Sequence, residues 1–94
     1  MRCNVEYMID FLRRNSSVSC PITGRMISEH FGISGSDVRR IINKSRQSGV
    51  PICSSRLGYY YSEDKEHISK TVNSIHSRIS AQENAIRGLS EWLS

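Results

Sequence analysis

The sequence predicts an α+β chain, mainly α: three short helices, a β-hairpin and a long C-terminal helix. Three observations predict it. Apolar residues recur at helical spacing over residues 5–12, 27–31 and 38–42. Two β-favouring runs, Val50-Pro51-Ile52-Cys53 and Tyr59-Tyr60-Tyr61, flank a loop of Ser, Arg and Gly. From about Asp64 to Trp92 there is no proline, and only Gly88 interrupts a helical pattern.

The first helix places Val5, Met8, Ile9 and Leu12 on one face, with Asn4 as its N-cap. Asn15-Ser16-Ser17 ends it, and Val18 to Ile22, interrupted by Pro21, reads as a linker or a short edge strand. Thr23 caps a second helix, with Ile27 and Phe31 inward and Met26 and His30 flanking, and Gly32 stops it where a left-handed residue is needed. Ser34 caps a third helix, and Ser34-x-x-Asp37 is a short-acid capping box. Val38, Ile41 and Ile42 then point to the core with Ser45 on the same stripe, and Gly49 closes the helix. Strand alternation sends Tyr60 to the face opposite Tyr59 and Tyr61, so at least one tyrosine packs under the third helix.

The 94 residues hold 13 basic and 9 acidic side chains, a net charge of +4. Residues 1–62 carry nine basic groups, eight of them Arg, against four acids; residues 63–94 carry four against five. The excess therefore sits in the first two-thirds and is made of the side chain best shaped for phosphates and guanine edges. Cys3, Cys20 and Cys53 are too scattered for a zinc site, His30, His67 and His76 do not complete one, and reduced thiols are expected. No catalytic grouping, phosphate-binding glycine loop or membrane-length apolar run occurs, so no enzyme, metal, cofactor, small-molecule ligand or membrane partner is expected, and the cytoplasm is the expected location.

The densest signal is Thr23-Gly24-Arg25-Met26-Ile27-Ser28-Glu29-His30-Phe31-Gly32-Ile33-Ser34. Glycine permits a sharp turn between two helices, small Ser28 lets them approach, and Ile33 plugs the angle between them. With the hairpin behind it, the order is that of a winged helix-turn-helix (three helices plus a β-hairpin wing) over residues 1–62, followed by a long C-terminal amphipathic helix over 63–94. Residues 8–62 resemble the winged-helix domains at the N-terminus of biotin-operon repressors and in small bacterial and phage regulators. The matches are Ile27…Phe31-Gly32-Ile33-Ser34…Val38-Arg39-Arg40…Ile42 and Gly49-Val50-Pro51-Ile52…Gly58-Tyr59-Tyr60. More loosely, Thr71…Ser74-Ile75…Ser77-Arg78-Ile79 is similar to the tail of small phage winged-helix proteins. No ligase or ligand-binding domain is expected behind the wing, a departure from the repressors that leaves no small-molecule co-effector expected.

In such a fold the third helix enters the major groove. Ser36, Arg39, Arg40 and Asn43 are expected near bases, Lys44 near phosphate, and Ser34 and Gly35 at the helix start that approaches the duplex. Arg25 is expected on backbone phosphate and Arg56, in the wing loop, in the minor groove.

Ile68, Val72, Ile75, Ile79, Gln82, Ile86, Leu89 and Leu93 are spaced 4, 3, 4, 3, 4, 3, 4, a heptad seam. Seven aliphatic side chains on a helix longer than the preceding globule point to a homodimer, against the alternative of an amphipathic helix packed back on the winged domain, with parallel and antiparallel pairing both open. Trp92 is expected to cover the end of the seam. The sequence thus reads as a dimeric, sequence-specific double-stranded DNA-binding protein: a transcription regulator, or a replication or partition factor. The competing reading is a winged-helix protein-interaction module whose tail docks on a partner.

Overall fold

The computed structural model describes residues 5–93. Helices α1 (Val5–Asn15), α2 (Gly24–Phe31) and α3 (Gly35–Gln47) precede strands β1 (Ile52–Ser55) and β2 (Gly58–Tyr61), then α4 (Lys65–Ser90) and a 3₁₀ turn at Glu91–Leu93. This is the expected α+β order, a winged-helix-like layout with a long C-terminal helix. The proposed cap Asn4, with Arg2 and Cys3, lies outside the described residues.

Local chemistry fixes the helix ends. The Thr23 hydroxyl accepts from the Met26 N–H at 3.0 Å, and Gly32 closes α2 at φ 66°. A non-glycine residue would be strained in that left-handed geometry. Ser34 repeats the cap on α3, accepting from the Asp37 N–H at 3.1 Å. At the turn between α2 and α3 the Ser28 hydroxyl bonds the Ile33 carbonyl, so Ser28 ties the turn chemically as well as sparing room.

One core joins the three short helices to the hairpin: Met8, Leu12, Ile22, Ile27, Phe31, Val38, Ile41, Ile42 and Ile52. Each such side chain contributes on the order of 1.5–3 kcal/mol on leaving water. Ser45 shares the stripe at no cost in unmet hydrogen bonds, because its hydroxyl donates to the Ile41 carbonyl at 2.8 Å. The strand after Pro21 shrinks to a single residue: Ile22 and Tyr59 exchange both backbone N–H···O bonds at 2.8 Å. β1 and β2 pair antiparallel with Ile52 opposite Tyr61 and Ser55 opposite Gly58, leaving Arg56-Leu57 as the loop. Tyr60 is buried and Tyr59 and Tyr61 are half-buried, as alternation requires.

The boundary at residues 62 and 63 falls between β2 and α4. α4 begins at Lys65, capped by Asp64, and its first half docks on the hairpin. Thr71 is 5% exposed, and its hydroxyl accepts from the Ser54 N–H at 3.2 Å on the outer edge of β1. His67 packs edge-on against Tyr60 and shares a hydrogen bond with Ser62. Beyond Ile79 every described residue of the helix is exposed. The seam is therefore uneven. Ile68 and Ile75 are half-buried, whereas Val72, Ile79, Gln82, Ile86 and Leu89 are exposed. Leu93 lies in the 3₁₀ turn, so the α-helical register of the seam stops at Leu89. Trp92 is 88% exposed.

Gly58 is the tightest point. Its φ is 140°, and a Cβ there would lie 2.5 Å from the Ile22 carbonyl oxygen. Gly58→Ala is expected to lower stability by about 2 kcal/mol or more, read as a lower urea midpoint, while Gly88→Ala, which meets open space, should leave the midpoint unchanged or raise it.

Candidate nucleic-acid interface

Three concave regions adjoin one another around Tyr59, which lines each of them. Between the start of α2, the hairpin and α4 lies a cleft of about 470 Å³, bounded by Arg46, Ser54, Ser55, Arg56, Ser74 and Arg78 among others. The angle between α2 and α3 is lined by Arg25, Ser28, Gly35 and Arg39. A third hollow separates α3 from α4, with Arg39, Asn43 and Arg46 on one wall and Ile75, Arg78, Ile79 and Gln82 on the other. Five arginines border this surface, and no carboxylate lines it.

The acids of the same region are occupied. Glu29 accepts from Arg25 at 3.1 Å, and Asp37 from Arg40 at 3.3 Å. Both pairs are exposed, and surface pairs of this kind contribute little to stability. They hold two of the expected DNA contacts in salt bridges that an incoming phosphate would have to exchange. Among the described residues Arg39 donates to the hydroxyl of Ser36 alone, at 3.3 Å. Asn43 and Lys44 are exposed on α3, and Arg56 is exposed at the tip of the hairpin.

The expected residues thus fall into two groups. Gly35, Arg39, Asn43, Arg25 and Arg56 border the concave surface. Ser34, Ser36, Arg40 and Lys44 lie on the exposed outer flank of α3, and Ser34 is already engaged as its cap. Two arginines that sequence reasoning did not select join the first group. Arg46 is half-buried: its Nε donates to the Ile52 carbonyl at 2.8 Å and its Nη2 to Ser54 Oγ at 3.2 Å, with the guanidinium 5.9 Å from the Tyr59 ring centre. Burial first, and the neighbouring Arg78 charge after it, push its pKa down. Arg78 reaches the same cleft from α4. The signal for it was present, since Thr71, Ser74 and Arg78 follow at i, i+3 and i+7 on one helical face.

Among the described residues no group of three or more His, Cys, Asp or Glu side chains is placed to hold a metal, and no helix is long and apolar enough to cross a membrane. Cys20 is an exposed free thiol and Cys53 a buried one, whose pKa burial raises. Comparison of the chain with protein-family models, curated proteins and solved structures finds no match to any of them.

Asp37 carries a pH signature. Hydrogen bonds from Ser34, then Arg40, hold its carboxyl below the ordinary value of 3.8. A depressed folded-state pKa means that its stabilising contribution is complete above the ordinary carboxylate range and lost as pH falls through the depressed value. The gap in urea midpoint between the parent and Asp37→Asn should therefore be constant near neutrality and close on acidification below pH of about 4.

Proposed function

We propose that this chain binds double-stranded DNA, as a dimer, through α3 and the hairpin, and acts as a sequence-specific regulator of transcription. The observation that carries the reading is the concave surface around Tyr59, bordered by five arginines from α2, α3, the hairpin and α4 and lined by no acid. A surface lined by arginines and no acid, with Asp37 tied to Arg40 on the outer flank and Glu29 to Arg25 at the rim, favours a polyanion over a mixed-charge protein partner. Its shape selects among polyanions. α3 is exposed along Arg39 and Asn43, the side-chain types that pair with guanine O6/N7 and adenine N6/N7, and the hairpin offers Arg56 beside it.

Self-association rests on the far half of α4. Ile79, Ile86 and Leu89 are 47%, 65% and 71% exposed. A free helical stretch of that length is marginal in water, and wet aliphatic side chains add to its cost. Pairing with a second copy removes both problems. Ile75, Ile79 and Gln82 share a hollow with Arg39 and Asn43, so pairing confined to the region beyond Gln82 leaves that flank of α3 open. The exposed seam also favours a second reading, a protein-interaction module whose tail docks on a different partner.

Fluorescence anisotropy with a random duplex separates the two. The DNA reading expects saturable binding that weakens steeply as salt rises; binding that is absent at low salt favours the interaction module. Selection from a random DNA pool should yield a two-fold symmetric site, on which Arg39→Ala costs about 1–3 kcal/mol. Ile86→Asp combined with Leu89→Asp should convert a dimer to a monomer in sedimentation equilibrium while leaving the circular dichroism of the winged part intact.

A further inference from the structure

Arg46 and Arg78 come from elements 32 residues apart in the chain and line the same two hollows. Among the described residues neither has a carboxylate partner. Two guanidinium groups so placed repel each other, and Arg46 also gives up part of its hydration to burial. A fold that needed only packing here would be served better by an apolar or neutral side chain. Arg46 is moreover held rigid by three contacts: the Ile52 carbonyl, the Ser54 hydroxyl and the Tyr59 ring. These use two of its five N–H donors and leave the others for a ligand. Ser54, Ser55 and Ser74 supply further hydroxyls around the cleft.

We infer that the cleft between the hairpin and the C-terminal helix is a phosphate-binding site in which Arg46, fixed by the hairpin, and Arg78, carried by α4, grip one phosphate group from two sides. An anion between them turns the repulsion into two charge-assisted contacts of the kind arginine makes best. The proposal takes from the DNA reading the identity of the phosphate's carrier, a phosphodiester of the duplex backbone beside the wing. It does not take from it the existence of the site. α4 thereby becomes a wall of the DNA site as well as a dimerisation element, and docking Thr71 on β1 sets the distance between the two arginines.

The test has two arms on the full chain. In the first, inorganic phosphate is titrated at low salt against the Nε–H resonances of Arg46 and Arg78. Saturable shifts of both in the parent, with the Arg46 shift lost in Arg78→Gln, support the site; no shift of either, or an Arg46 shift unchanged in Arg78→Gln, overturns it. Arg78 is exposed, so this variant keeps the fold, whereas removing Arg46 also breaks its bonds to the hairpin. In the second arm, anisotropy with random duplex is followed against salt. Arg78→Gln should weaken binding several-fold for every sequence and reduce the salt slope by about one, whereas Arg87→Gln, further along α4, should change neither. Equal slopes and affinities for parent and Arg78→Gln overturn the clamp while leaving DNA binding in place. Failure of the parent to bind duplex, with phosphate still shifting both arginines, overturns the DNA reading and assigns the site to a free phosphate compound.

Discussion

Ile22 and Tyr59 are joined by two backbone hydrogen bonds of 2.8 Å, and the arrangement of the functional surface depends on that pair. It fastens the linker between α1 and α2 to the second strand of the hairpin, 37 residues further on. It therefore fixes where the wing stands relative to α2 and α3. Tyr59, held by its backbone at this point, is left with its ring at the junction of all three hollows. Gly58 is the condition for the pair, because any side chain there would meet the Ile22 carbonyl. Nearby, the Tyr61 N–H donates to Ser16 Oγ at 2.9 Å, so the end of α1 is tied to the same strand.

Charge is arranged around this frame by subtraction. Carboxylates are not missing from the region; Glu29 and Asp37 sit within it and each is engaged by an arginine one turn away on its own helix. Without a carboxylate partner among the described residues are Arg39 on α3, Arg56 on the hairpin, and Arg46 with Arg78 across the cleft. Arg40 on the outer flank and Arg25 at the rim are locally neutralised, and the other four arginines of the concavity have no acid beside them among the described residues. On the proposed DNA reading, that unmatched charge would attract the duplex at long range, and salt would weaken the attraction through screening and counterion release.

The order of the elements was legible because each is announced locally. Thr23 and Ser34 cap helices, Gly32 and Gly49 end them at positive φ, and the apolar residues of α1, α2 and α3 keep a helical period. The inward turn of Tyr60 followed from alternation alone. Docking of α4 was not legible. The aliphatic seam points to one face of that helix, and its first half does pack there through Ile68 and Ile75, but the most buried residue between them is polar Thr71, bonded to a backbone N–H. A hydrogen bond to a strand edge leaves no hydrophobic period in the sequence. For the same reason Arg46 and Arg78 could not be brought together beforehand, since only the docking of α4 places one beside the other. At the end of the seam, spacing alone does not distinguish the last α-helical turn from the 3₁₀ turn that carries Leu93.

The bond from Ser54 to Thr71 has a further consequence. A two-stranded hairpin with an open outer edge is a template on which foreign strands can assemble. α4 occupies that edge at its midpoint and takes up an N–H that would otherwise be free to pair. Any event that lifted the long helix from the hairpin would uncover this strand, and the same movement that disassembled the arginine cleft would expose the protein to aggregation through its sheet.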